Sequence, residues 1–201
     1  MQIIKSGYGT YTELDTKEFQ DLYYKYGLQF WSRQWEYPFI YSNLKLDKGM
    51  TGLNLGAGYY GKIEKMFTDN NCTITAFDNT TYPGQPNVLR VIGSMEETLP
   101  FDANTFDRTV CCSVMEHLNG KWDFYLGEML RVCKPGGRVI LTLDINFEND
   151  GFNMHYKEFQ PLAEKYGFNL DKPSDLIRAH DYEDGKRVVN NLAVYGLVIQ
   201  K

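Results

Sequence analysis

No apolar run in the sequence approaches the ~18 residues that a membrane-spanning helix needs, which argues against a membrane-embedded chain. The amino terminus lacks a charged-then-apolar signal pattern, so the expected location is cytoplasmic. No pair of cysteines has Cys-x-x-Cys spacing. Cys72, Cys111, Cys112 and Cys133 all fall in apolar stretches, which predicts buried free thiols rather than a zinc site or a disulfide framework. Basic clusters are missing too. With 21 Lys and Arg against 26 Asp and Glu, the net charge is -5, which disfavours nucleic-acid binding. There is no internal repeat, low-complexity tract or linker. A chain of 201 residues is then expected to fold as one domain spanning 1–201. Nothing in it specifies an oligomeric state.

Against these absences stands one organised stretch, Met50 to Phe67. It reads as a short apolar strand, a glycine-rich turn with Gly56, Gly58 and Gly61 in G-x-G-x-x-G spacing, and the start of a helix. The first glycine suits a tight strand-to-helix turn, and the second lets backbone approach a ligand closely. From here the chain alternates. Strands are expected at 51–55, 72–77, 88–92, 106–113, 138–145 and 191–200, with helices at 62–68, 121–133 and 157–166. Such alternation predicts a Rossmann-like, doubly wound α/β fold in three layers. Its sheet is expected to be mainly parallel and seven-stranded, with an antiparallel closing strand.

Three places depart from regularity. Residues 79–87 hold two prolines and a glycine, too short and too broken for an ordinary crossover helix. Lys134–Gly137 reads as a turn. Residues 1–45 read as an aromatic-rich arm or lid before a core of 46–201. Within the arm, residues 1–14 look like an ordered arm or loop, Asp15 or Thr16 can cap a helix ending near Gly27, and Pro38 limits any helix in the dense aromatic segment 30–41, which reads either as a mini-core sealing the sheet edge or as a ligand lid.

Ligands of doubly wound sheets bind at the carboxyl ends of the strands. Those ends offer Gly56, Ala57 and Gly58, then Asp78, then Ser94 and Met95, then Ser113 through His117. Asp78 lies 22 residues beyond Gly56, a spacing that suits a carboxylate accepting bonds from ribose hydroxyls. To this point a dinucleotide and another adenosine cofactor fit equally. His117 is the candidate general base, from its titration range, with Glu116 second. Asp144, Glu148 and Asp150 read as solvated loop acids, so no metal is expected. His155 and His180 are further candidates for an acceptor pocket.

The later motifs decide between cofactors. Gly93 to Asp107, Ser113-Val-Met-Glu-His-Leu118 and Glu128 to Ile140 together resemble the class I S-adenosylmethionine-dependent methyltransferases, closest to their small-molecule branch. The resemblance covers about residues 50–145. It implies S-adenosyl-L-methionine as cofactor and methyl transfer to a small-molecule acceptor. It further implies that Gly56, Ala57 and Gly58 lie along methionine and ribose, that Asn79, Ser94 and Met95 border adenine, and that Ser113 lines the methionine side. Asn54 stands where the family usually has an acid, and replacing it with Asp is expected to tighten cofactor binding. Trp31, Arg33 and Trp35 are expected on the substrate side, as part of a lid that also brings Tyr37 and Tyr41. Arg33 has two candidate partners, a ligand carboxylate or Glu36 at the surface.

Segment 31–38 resembles methyltransferases near polysaccharide biosynthesis, implying a sugar-related acceptor. Cys112-Ser-Val-Met115 lacks the Asn/Asp-Pro-Pro-Tyr/Phe pattern of nucleic-acid amino-methyltransferases. The alternative is a methyltransferase-like domain that binds cofactor without catalysis or serves as an interaction scaffold.

Overall fold

The computed structural model describes residues 1–28, 30–83, 85–86, 88–118, 120–147, 154–183 and 186–201, with side chains outside 180–191. Its centre is the parallel set β2 (Thr51–Leu55), β3 (Thr73–Asp78), β4 (Val88–Ile92), β5 (Phe106–Cys112) and β6 (Cys133–Asn146). Two more strands, β1 (Gln2–Tyr8) and β9 (Lys186–Gln200), complete the order β1-β9-β6-β5-β2-β3-β4. β9 runs antiparallel to β6, as a closing strand should. Short β7 (Met154–His155) and β8 (Arg178–Glu183) pair with β6 and β9 off this path.

Three expectations about local structure need correction. Residues 2–8 are not a loop. They form an antiparallel edge strand on β9, with Tyr8 opposite Tyr195. Residues 134–137 are not a free turn, because they continue β6 and exchange backbone bonds with Lys201 at the chain's end. Pro38 does not stop helix formation. It lies inside α3 (Arg33–Leu44). A proline there forfeits one intrahelical bond, but α3 buries Trp35, Tyr37, Phe39, Ile40 and Leu44, and tertiary packing of that face outweighs the loss.

Strand alternation sorts the core to the two faces of the sheet. Val139, Leu141, Leu143 and Ile145 of β6 join one cluster, with α5 (Trp122–Val132) and α6 (Tyr156–Tyr166). Ile140 of β6 and Val194 and Val198 of β9 join the other, under α2 (Lys17–Tyr26), α3 and α4 (Lys62–Thr68). The amino-terminal helices α2 and α3 therefore form one of the three layers together with α4. Its anchor is Trp35, 1% exposed and stacked on Phe39 at 4.5 Å. Room for the indole comes from Gly196, where an added Cβ would fall 2.7 Å from the ring. Truncating a buried aromatic of this size costs about 3–5 kcal/mol. A short helix, α1 (Tyr11–Leu14), precedes this layer and supplies Glu13, which accepts the Trp35 indole N–H at 2.8 Å.

The connection from β3 to β4 carries no helix among its described residues, in keeping with its two prolines. All four cysteines are free and buried. No helix among the described residues is long and apolar enough to cross a membrane, and no described group of His, Cys, Asp and Glu has the makings of a metal site.

Candidate functional site

The carboxyl ends of β2, β3 and β5 open onto two hollows. The larger, about 520 Å³, is lined by Asn54, by Gly56 through Ile63, by Arg33 and Tyr37 of α3, by Tyr82, and by Cys112, Ser113 and Val114. The smaller, about 160 Å³, is lined by Asp78, Asn79, Ser94 and Met95 among others. Gly56 and Val114 line both, so the hollows meet where the β2 turn faces the end of β5.

The turn is shaped by its glycines. Gly56 has φ +67°, and a Cβ there would fall 2.3 Å from Val114. Gly58 has φ +62°, yet a Cβ there would meet nothing within 4 Å. Glycine at 58 therefore serves backbone conformation and open space rather than packing within the chain. The Asp78 carboxylate accepts a bond from the Gly58 N–H at 2.9 Å and from Thr80 N–H at 2.9 Å. These bonds fix the acid at the rim of the turn.

Asn54, Gly56, Ala57, Gly58, Ser113 and Arg33 thus line the larger hollow, and Asp78, Asn79, Ser94 and Met95 the smaller. The other predicted residues lie elsewhere. Trp35 is buried in the core layer. Trp31 packs against the same core cluster, and Tyr41 stacks on Tyr26 at 4.8 Å. His117 is exposed on a 3-10 turn (Met115–His117) and lines neither hollow. Burial and the Arg33 charge push its pKa down. His155 caps α6, and the side chain of His180 is outside the described residues.

The largest surprise is electrostatic. Arg33 does pair with Glu36, but not at the surface, because Glu36 is fully buried. Its carboxylate also accepts bonds from Ser113 and from Thr142, the latter at 2.6 Å. Burial opposes ionisation of Glu36, but the Arg33 charge and these bonds win and hold its pKa below the usual range. Arg33 donates a further bond to Ser113 at 2.8 Å. Ser113 sits at φ +47°, a strained conformation for a non-glycine residue. The network therefore ties α3 to the ends of β5 and β6 at the wall of the cleft.

Behind it lie two more acids. Asp144 is not a solvated loop residue but a buried member of β6. Glu148 and Asp150 fall outside the described residues. Burial, joined by the Glu36 charge, pushes Glu116 up to about 8 and Asp144 well above its ordinary value. Glu116 accepts a bond from the Asp144 N–H at 3.0 Å, while its other oxygen and Asp144 Oδ1 have no partner among the described residues. Glu116 is therefore predominantly protonated at neutral pH, a poor state for a base.

Asn54 has a partner that the sequence reading missed. Its amide donates to Glu64 of α4 at 2.9 Å, and both residues are 1% exposed. Burial pushes Glu64 up, against the bond from Asn54. The acid absent at position 54 is thus present one side chain away. The available signals were an acid in the first turn of α4, and an acid inside the aromatic run Trp35-Glu36-Tyr37.

A mainly parallel sheet of this order, with a glycine turn after β2 and an acid at the end of β3, defines a Rossmann-like α/β fold. Residues 53–141 match the family model described as a methyltransferase domain. Over that stretch, a little under half of the chain, it is similar to the S-adenosylmethionine-dependent methyltransferases. Among curated proteins it resembles the ubiquinone/menaquinone biosynthesis C-methyltransferase UbiE of Idiomarina loihiensis, at 31% identity over 116 residues. That match covers 47% of this chain and 46% of the relative, so the chain matches about half the relative's length. Among solved structures it is similar to a SAM-dependent methyltransferase from Aquifex aeolicus, with TM-score 0.53, 17% identity, and 80% and 86% of the two chains covered. It is likewise similar to SpnF, described as a 4+2 cyclase, with TM-score 0.58, 14% identity, and coverage of 81% and 79%. At these identities the structures speak for the fold alone.

Proposed function

We propose that the chain binds S-adenosyl-L-methionine across the two joined hollows and transfers its methyl group to a small-molecule acceptor in the larger one. The observation that carries this reading is the Asp78 carboxylate, fixed on Gly58 N–H at the junction of a roomy glycine turn and the hollow of Ser94 and Met95. The cradle fits the cofactor. Asp78 would hold ribose hydroxyls, Asn79, Ser94 and Met95 would border adenine, and Gly56, Ala57, Gly58, Asn54 and Ser113 would follow ribose and methionine. The cofactor supplies an electrophilic methyl on a sulfonium centre. The protein's share is then mainly to align an acceptor and exclude water.

In this reading Arg33 and Ser113 present fixed donors at the cleft wall, and Tyr37 supplies a ring face there. His117 takes no part as base, since it is outside the lining. The faint likeness of segment 31–38 supports a sugar-related acceptor, and the single-domain reading of 1–201 is proposed with it. A second reading is cofactor binding without methyl transfer. It is supported by a cleft lining that holds no carboxylate or imidazole among the described residues, and by the occurrence of this fold in a 4+2 cyclase. Incubation with methyl-labelled cofactor and a panel of phenols, sugars and small acids tests between them. Labelled product is expected. Cofactor binding with no transfer to any panel member favours the second reading.

A further inference from the structure

We propose that the acceptor is a ring compound bearing an anionic group, its ring against the tyrosines at the cleft mouth and its charge on Lys62. The inference rests on the methyltransferase reading of the same cleft and names the acceptor class within it.

Three observations converge. First, the mouth holds large aromatics left in water: Tyr59 is 62% exposed, Tyr60 66% and Phe30 52%. Tyr59 meets Tyr60 and Tyr82 edge to face, with centroids at 5.9 and 6.2 Å and interplanar angles of 84° and 76°. Rings that brace one another yet remain exposed offer faces for stacking a flat or pyranose-like ring. Second, among the described residues the cleft lining contains two cations, Arg33 and Lys62, and no carboxylate. Arg33 is neutralised from behind by buried Glu36. Lys62 is half-buried, and among the described residues its ammonium makes no hydrogen bond or ion pair. It is the uncompensated charge of the wall. Third, the space is divided. The hollow of Asp78, Ser94 and Met95 is of a size for the nucleoside end, and the cleft of about 520 Å³ is more than the methionine end requires.

An aromatic acid and a uronic acid share this chemistry. The test uses protein saturated with S-adenosylhomocysteine, titrated by ligand-observed NMR with 4-hydroxybenzoate, glucuronate, phenol and methyl glucoside. Wild type, Lys62→Met and Tyr60→Ala are compared, both substitutions being at exposed or half-buried positions. At least one acid is expected to bind about tenfold more tightly than its neutral counterpart, a gap that Lys62→Met closes. Tyr60→Ala is expected to weaken the bound ring about fivefold in either background. Homocysteine-compound affinity should stay within about twofold throughout. Binding of the benzoate alone identifies an aromatic acid, and binding of glucuronate alone a sugar acid. Equal binding of acids and neutral rings overturns the proposal. So does a Lys62→Met protein that loses S-adenosylhomocysteine affinity while binding the acids unchanged, which would assign Lys62 to the cofactor. Binding of S-adenosylhomocysteine with no binding of either acid refutes this inference alone. Failure of wild type to bind S-adenosylhomocysteine refutes the underlying reading instead.

Discussion

Replacing Glu36 with Gln tests whether the buried network holds α3 to the site. Gln keeps the shape and one acceptor oxygen, so Ser113 and Thr142 retain a partner. It removes the charge opposite Arg33 and turns an amide donor toward a guanidinium donor. Breaking a buried ion pair from one side costs about 3–5 kcal/mol. The Arg33 side chain is still 20% exposed, so water recovers part of that. A second offset comes from the neighbours. Glu36 is one cause of the raised pKa values of Glu116 and Asp144, and without its charge they ionise more readily beside Arg33. The net expectation is a loss of roughly 2–3 kcal/mol at pH 7. With a urea slope of about 2 kcal/mol per molar, the unfolding midpoint falls by roughly 1 M. Carbon-detected NMR titration should also show the Glu116 carboxyl titrating below its starting value of about 8. A stability change under about 1 kcal/mol, together with an unmoved Glu116 titration, would refute the reasoning.

Asn54→Asp now carries a different expectation from the tighter cofactor binding that the sequence alone implies. The new carboxylate would lie against Glu64, where the amide now sits at 2.9 Å. Two buried acids that close cannot both ionise, so a loss of roughly 2 kcal/mol is expected at pH 8 and less at pH 5. The double variant with Glu64→Gln should restore stability, and urea unfolding of the four proteins closes the cycle. Glu116 sets a pH dependence of its own. Its folded pKa is raised, so the stability it contributes is full below about 4.5 and is lost as pH climbs to about 8. Glu116→Gln should flatten the unfolding free energy across that window, and an unchanged slope would contradict the assignment. Gly58→Ala meets no atom of the chain, so its folding cost is about 1 kcal/mol from the left-handed backbone alone. Calorimetry should nonetheless show S-adenosylhomocysteine affinity falling more than about tenfold, because the methyl group occupies ligand space. Gly56→Ala also strikes Val114 and should destabilise the fold further.

The parallel half of the sheet was legible in the sequence because each strand is a short apolar run bounded by turn residues. Thr51–Leu55 and Val88–Ile92 form where that pattern places them. The place of Asp78 at the end of β3 was legible from the apolar run before it. The edge strand Gln2–Tyr8 was not, because its partner is Val198 and its neighbours, at the other end of the chain, and no local pattern encodes such a pairing. The helix through Pro38 was hidden for a related reason, since its stability comes from Trp35 and Phe39 in the core rather than from propensity. Glu36, Glu64, Glu116 and Asp144 were hidden as buried acids. An acid's burial is decided by what tertiary packing lays over it, and composition favours the exposed reading every time.

The central claim is that the joined hollows form an S-adenosylmethionine site anchored by Asp78. Isothermal calorimetry of the wild type and Asp78→Ala with S-adenosylmethionine, S-adenosylhomocysteine and NAD tests it most directly. Both sulfur compounds are expected to bind one to one, NAD is not, and Asp78→Ala should weaken binding at least about tenfold. Absence of binding by either sulfur compound, or affinity that Asp78→Ala leaves unchanged, would contradict the account.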